Sequence, residues 1–409
     1  MKDSKLFTPY KIGPIEIKNR TIRASAFEGM CRNHKPTQQL IDYHVSVAKG
    51  GIGMTNVAYS AVCQSGLSFH TQLWMKEEFV DELKHLTDEI HKAGSKACIQ
   101  LGHCGNMSHS WLCGRIPVGA SSGFNLYSPT FVHGLRKDEI EDIVRYFGEA
   151  VNVARKAGFD CVEVHAGHGY LISQFLSPYT NKRKDEFGGS LENRMRFMTM
   201  VMKEVMKAAG DDIGVVVKTN TRDGFKGGLE VDDCVKVAQR LEEIGVHALT
   251  LSGGFVSKAP MYVMKGKMPM KTLYGYMPWK SLWWLRIGVS IFGKLMIKNE
   301  PFKEAFFYED ALKFRKALKL PLVLVGGLNS KESIEKALNS GFEFVSMARA
   351  LVHDTDFVNK LRDGEITKSG CKQANYCVAR IYNKDMQCHE HCTQKLSKGI
   401  KLELEKNIK

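Results

Sequence analysis

A closed (β/α)8 TIM barrel, an α/β fold, is what this sequence predicts, and three observations predict it. Eight short runs of β-branched and aliphatic residues alternate with amphipathic helical segments along the chain. No composition break marks a linker within that alternation. Three polar side chains, His165, His168 and Tyr170, stand at and just past the end of the fourth run, where a barrel gathers its functional groups. A doubly wound open sheet is the rival; no Gly-x-Gly-x-x-Gly turn follows the first run to support it.

Taken in order, residues 12–19 alternate around a Gly-Pro turn and predict a small hairpin closing one end of the fold. Strands are then expected at 20–26, 52–59, 95–101, 160–165, 213–219, 247–251, 321–325 and 342–347. Helices are expected at 37–49, 77–93, 137–157, 191–209, 231–244, 308–318, 330–340 and 354–362. The barrel domain thus runs over 1–364, with a long insertion at 255–305 after the sixth strand, followed by a Cys-containing basic tail over 365–409.

The 409 residues, 44% hydrophobic and 25% charged, allow one large barrel with a sizeable core. A net charge of +14 favours anionic ligands, but it is dispersed and accompanies no recognition module, so nucleic acid is not an expected partner. The first nine residues lack the apolar core of a signal peptide, and no apolar stretch is long enough to span a bilayer. Eleven cysteines, odd in number and scattered, do not form a disulfide framework, which points to a reducing cytoplasm.

The residues at and after the fourth strand carry a resemblance. His165-x-x-His-Gly-Tyr-Leu171, then Leu176-Ser-Pro and Asn181-x-Arg-x-Asp-x-Phe-Gly-Gly-Ser-x-Glu-Asn-Arg194, resemble the old yellow enzyme family of flavin-dependent ene-reductases. Lys18-Asn-Arg20, Gln100-Leu-Gly-His103, Gly326-Gly327 and Ala348-Arg349 agree with it, so the resemblance covers nearly all of the chain to about Gly364. It implies FMN as cofactor, NADH or NADPH as reductant, and reduction of the C=C bond of an unsaturated carbonyl compound.

The resemblance also assigns roles. His165 and His168 would donate hydrogen bonds to the substrate's carbonyl oxygen, where charge builds during hydride addition. Tyr170 would protonate the α-carbon; a phenol is a weak acid, but an enolate is basic enough to take its proton. Ala24, Ser25, Ala26 and Phe27 would lie along the isoalloxazine ring, and Gln100 would meet its pyrimidine side. Lys218 would stand near N1 and O2, where relatives often carry arginine; a barrel-rim ion pair is its structural alternative. Gly326, Gly327, Ala348 and Arg349 would hold the phosphate at the ends of the seventh and eighth strands. The structural alternative for the histidines is that they satisfy backbone groups of the turn. No acidic third ligand lies near them, and no catalytic metal is expected.

Longer relatives, the dienoyl-CoA reductases and trimethylamine dehydrogenases, bind an iron–sulfur cluster through a Cys-x-x-Cys-Asn run. Here the run reads Cys371-Lys-Gln-Ala-Asn-Tyr-Cys377, with Ala374 where the second thiolate belongs. The chain also ends at Lys409, without the relatives' further domains. A remnant without metal is the expectation; a cluster, or zinc through Cys371, Cys377, Cys388 and Cys392, remains the alternative. The stretch 278–297 mixes aromatic and aliphatic residues with Lys and Arg. It reads as a lid for a bulky apolar substrate, an interfacial helix touching a membrane surface, or a homo-oligomer contact or helix packed on the barrel. Two further functions stay open: an oxidative flavoenzyme such as an amine demethylase or dehydrogenase, and a non-catalytic partner-binding barrel.

Overall fold

The computed structural model describes residues 4–408 except 127, 277–282, 284–286, 289–290, 292, 294–296 and 393–394. Its centre is a closed parallel barrel of eight strands: β1 (Thr21–Arg23), β2 (Met54–Ala61), β3 (Lys96–Gly102), β4 (Cys161–His165), β5 (Gly214–Asn220), β6 (Ala248–Ser252), β7 (Leu322–Val325) and β8 (Phe344–Met347). Neighbours pair in that order, and β8 and β2 both pair with β1, which closes the ring. Helices α1 (Gln38–Lys49), α2 (Val80–Lys92), α3 (Lys137–Lys156), α4 (Leu191–Ala209), α5 (Val231–Ile244), α6 (Tyr308–Ala317), α7 (Lys331–Asn339) and α8 (Phe357–Asp363) lie between or after the strands. All eight expected strands and all eight expected helices are present.

The layering of the barrel interior follows from the two-residue period of its strands. Ile22, Met54, Cys98, Cys161, Val216, Ala248, Val323 and Phe344 form an apolar floor. The hairpin Tyr10–Ile12 with Ile15–Ile17 plugs it from below with Ile12, Ile15 and Ile17. Two residues further along, Gln100, Glu163, Lys218 and Thr250 replace the apolar side chains, and another step up β4 reaches His165. The outward-facing set, including Val162, Val164, Val215 and Val217, packs with the helices in the main core.

Two expectations need correction. The first strand stops at Arg23, not 26, because its buried guanidinium donates to the carbonyls of Asn56 and Ala26 and turns the chain out of the sheet. The helix expected from 77 opens as a 3-10 turn over Glu77–Phe79 and becomes α-helical at Val80. The helix Met270–Tyr276 of the insertion packs on the tail helices Tyr376–Arg380 and Lys398–Ile408. The tail itself docks on the barrel, with Met386 N donating to Glu28 O at 2.7 Å. Most of 278–297 lies outside the described residues; Trp283, Ile287 and Ile291, which are described, are exposed at a spacing of four. No helix among the described residues is long and apolar enough to cross a membrane.

Candidate active site

Backbone geometry at the end of β4 brings the three polar side chains together. His168 is left-handed at φ 59°, and Gly169 follows at φ 79°. Asn220, at the end of β5, holds this turn by accepting from His168 N at 3.0 Å. Gly169 must stay glycine: an added Cβ would meet the Phe255 ring at 2.5 Å. Gly169→Ala is expected to lower stability by roughly 1–3 kcal/mol, read from a denaturant midpoint at unchanged slope.

The rings converge tightly. His165 lies 4.3 Å from Tyr170 and 5.0 Å from His168, centroid to centroid. Tyr59 meets Tyr170 edge-on at 5.1 Å. His168 Nε2 shares a hydrogen bond with Ser252 Oγ at 2.7 Å, whereas the buried Nδ1 of His165 has no hydrogen-bond partner among the described residues. An orphaned buried nitrogen is costly, and a ligand's polar atom would satisfy it.

Burial sets the protonation states. It holds His165 well below the ordinary imidazole range, with His168 and Lys218 adding to the effect. His168 is lowered to about 3 by burial and then by Lys218. Tyr170 is pushed above the usual phenol range by burial, then by Cys104 and Tyr382. Both imidazoles are therefore neutral at working pH, each with one N–H to donate. The unfolded chain, with ordinary histidines, takes up protons below about pH 6.5 that the folded chain refuses. Stability should thus fall as pH drops from about 6.5 towards 3, whereas imidazole titration should add no limb to the activity profile above about pH 5. Thermal melts and initial rates across that range check both.

Beneath these rings lies an ion pair absent from the sequence-based site. Lys218 Nζ is 3.1 Å from Glu163 Oε1, both groups buried, and also contacts Ser25 Oγ. Gln100 donates to Glu163 at 2.7 Å and to Ser25 Oγ at 2.8 Å, and Thr250 donates to Glu163 at 2.9 Å. Lys218 is thus paired, as its structural alternative had it, though inside the barrel. Glu163 was legible: an acid at position i−2 from His165 on one strand shares its inward face. Phe27 stacks on Phe69 at 4.7 Å, and Phe69 meets Tyr382 of the tail at 6.2 Å. Tyr382 gave no signal, because only the docking of the tail brings it here.

The expected phosphate residues are split between two surroundings. Gly326 (φ 110°) and Gly327 (φ 74°) lie under Phe302, in the insertion, and Phe306, just past it, too close for a Cβ. Arg349 donates to Asn375 Oδ1 and to Met264 O, both at 2.6 Å, and lies 5.5 Å from the Phe302 ring. Burial lowers its pKa, and no carboxylate pairs with it among the described residues. A half-buried guanidinium with only neutral acceptors fits an anion such as a phosphate. The polar groups of buried Gln100 and half-buried Ser25, with the flanking aromatic rings, likewise fit a flat heteroaromatic cofactor with a polar edge.

An iron–sulfur cluster does not fit. Cys371, Ala374, Cys377, Cys388 and His353 line one cavity, but its volume of about 20 Å³ holds a single water or ion. Burial raises the thiols of Cys371, Cys377 and Cys388 above the ordinary range.

Residues 5–269 match the model of the NADH:flavin oxidoreductase / NADH oxidase family. The 4,4'-dithiodibutanoate disulfide reductase of Rhodococcus erythropolis is 37% identical, over 92% of this chain and 93% of its own. Two further curated relatives are about twice as long: the chain spans 53% and 51% of them. Among solved structures, a 2-naphthoyl-CoA reductase in complex with 2-naphthoyl-CoA superposes with a TM-score of 0.79 at 25% identity, over 94% of this chain and 56% of its own. An old yellow enzyme homologue from Zymomonas mobilis gives 0.71 at 24% identity, over 95% and 98%, a likeness that bears on the fold.

Proposed function

This chain belongs to the NADH:flavin oxidoreductase / NADH oxidase family, that of the old yellow enzymes, and from that membership we propose that it reduces the C=C bond of an unsaturated carbonyl compound. It is an NAD(P)H:flavin oxidoreductase with FMN as its cofactor. The observation that carries the finer reading is the convergence of His165, His168 and Tyr170, with a buried nitrogen on His165 that has no partner among the described residues.

Bound FMN supplies hydride taken from NAD(P)H. Ser25, Gln100 and Lys218 are the polar groups that would meet its ring, Ala24, Ala26 and Phe27 would flank it, and Gly326, Gly327, Ala348 and Arg349 would hold its phosphate. His165 and His168, both neutral, donate to the carbonyl oxygen of the substrate and stabilise the charge that develops there. His168 keeps one nitrogen on Ser252, which fixes its ring. Tyr170 remains a protonated phenol and gives its proton to the α-carbon. Tyr59, Phe69 and Tyr382 surround this point with aromatic surface, which suits a flat apolar substrate.

A second reading, reduction of a disulfide, is favoured by the likeness to the Rhodococcus enzyme. Offering NADH or NADPH with an enone and with 4,4'-dithiodibutanoate, and an amine with an artificial electron acceptor in place of the nucleotide, separates the readings by product. Saturated ketone as the faster product supports alkene reduction. Thiol in its place supports the second reading, and amine oxidation overturns both.

A further inference from the structure

We propose that His353, Glu390 and His391 bind a zinc ion that ties the C-terminal segment to the barrel. They come from two separate parts of the chain. His353 ends the short helix Arg349–His353 that follows β8, whereas Glu390 and His391 belong to the run Cys388-His-Glu-His-Cys392 of the tail. Among the described residues they are the one group of three or more ligand atoms lying within 4.8 Å of one another. His353 Nδ1 is 3.4 Å from Glu390 Oε2, and the two imidazole centroids are 5.0 Å apart. Tetrahedral zinc with bonds of about 2.0–2.1 Å holds its N and O ligands roughly 3.3–3.4 Å apart, so this spacing needs little adjustment.

The imidazole is also aimed. A Cβ on Gly370 would come within 2.4 Å of His353 Nε2, so the backbone of the tail presses against that side of the ring. Nδ1 on the other side faces the carboxylate, with Cys388 Sγ 3.5 Å away. Two imidazoles and one carboxylate form a common zinc set, with water in the fourth position. The ion would join the end of the barrel to residues 37 positions further on (390 − 353). It would thereby hold in place the tail that carries Asn375 against Arg349 and Tyr382 towards Tyr170.

Elemental analysis of the tag-free full chain, desalted after exposure to zinc chloride, tests the site without reference to catalysis. The expected result is about one zinc per chain. Glu390→Gln combined with His391→Ala should abolish it, and Cys392→Ser should leave it. Glu390 and His391 are exposed, so their replacement spares the core, and far-ultraviolet circular dichroism verifies that. Chelator should lower the melting temperature of the parent chain to that of the double variant and leave the variant unmoved. Zinc at background level overturns the proposal, as does zinc retained by the double variant. Iron with inorganic sulfide, lost on Cys371→Ser, overturns it in favour of a thiolate cluster.

Discussion

Replacing Tyr170 with phenylalanine should slow alkene reduction by about 10²–10⁴-fold while leaving reduction of the flavin by NAD(P)H unchanged. The Tyr170 phenol lies closer to His165 than that of Tyr59 does, 4.3 Å against 6.4 Å between ring centroids, and only the second half-reaction consumes a proton at carbon. Phenylalanine keeps the ring that packs on Tyr59 and His165, so the fold is spared. Anaerobic stopped-flow absorbance resolves the halves: bleaching on mixing with NADPH, and return of colour on mixing the reduced enzyme with an enone. Burial keeps Tyr170 protonated beyond the ordinary phenol range, so the parent rate should show no loss attributable to this group up to about pH 10.

Glu163→Ala should cost about 3–5 kcal/mol of stability, among the largest single effects expected in this chain. It leaves the Lys218 ammonium buried beside Ser25 with no anionic partner and removes the acceptor used by Gln100 and Thr250. Burial alone would raise the Glu163 carboxyl, but Lys218 and the surrounding hydrogen bonds outweigh it and hold its pKa below the usual value. A depressed carboxylate contributes stability that is present above the unfolded pKa and lost as pH falls through the folded one. The penalty of Glu163→Ala should therefore shrink in acid, as urea melts at pH 7 and pH 4 would show. Glu163→Ala with Lys218→Met should recover much of the loss, because neither buried charge is then left alone.

The barrel was legible because its eight strands are almost wholly buried and rich in aliphatic residues, each followed by a helix with an apolar face. The catalytic candidates were legible because His165, His168 and Tyr170 interrupt that pattern at a strand end. Glu163 was passed over because a lone acid between valines reads as a strand residue until its two-residue relation to His165 is used. The partners of Arg349 and the approach of Tyr382 were not legible, since both depend on how the tail folds back over more than 25 residues without a periodic pattern. His353 was hidden for the same reason: its neighbours Glu390 and His391 are near only in three dimensions.

The central claim is that the three rings at the end of β4 form a site for an unsaturated carbonyl compound. Mixing NADPH-reduced wild-type enzyme with 2-cyclohexenone under anaerobic conditions tests it most directly. Flavin colour should return in a saturable reaction with one cyclohexanone formed per flavin, and His165→Ala should weaken saturation. Flavin that stays bleached with the enone, yet recovers its colour with 4,4'-dithiodibutanoate, would contradict it.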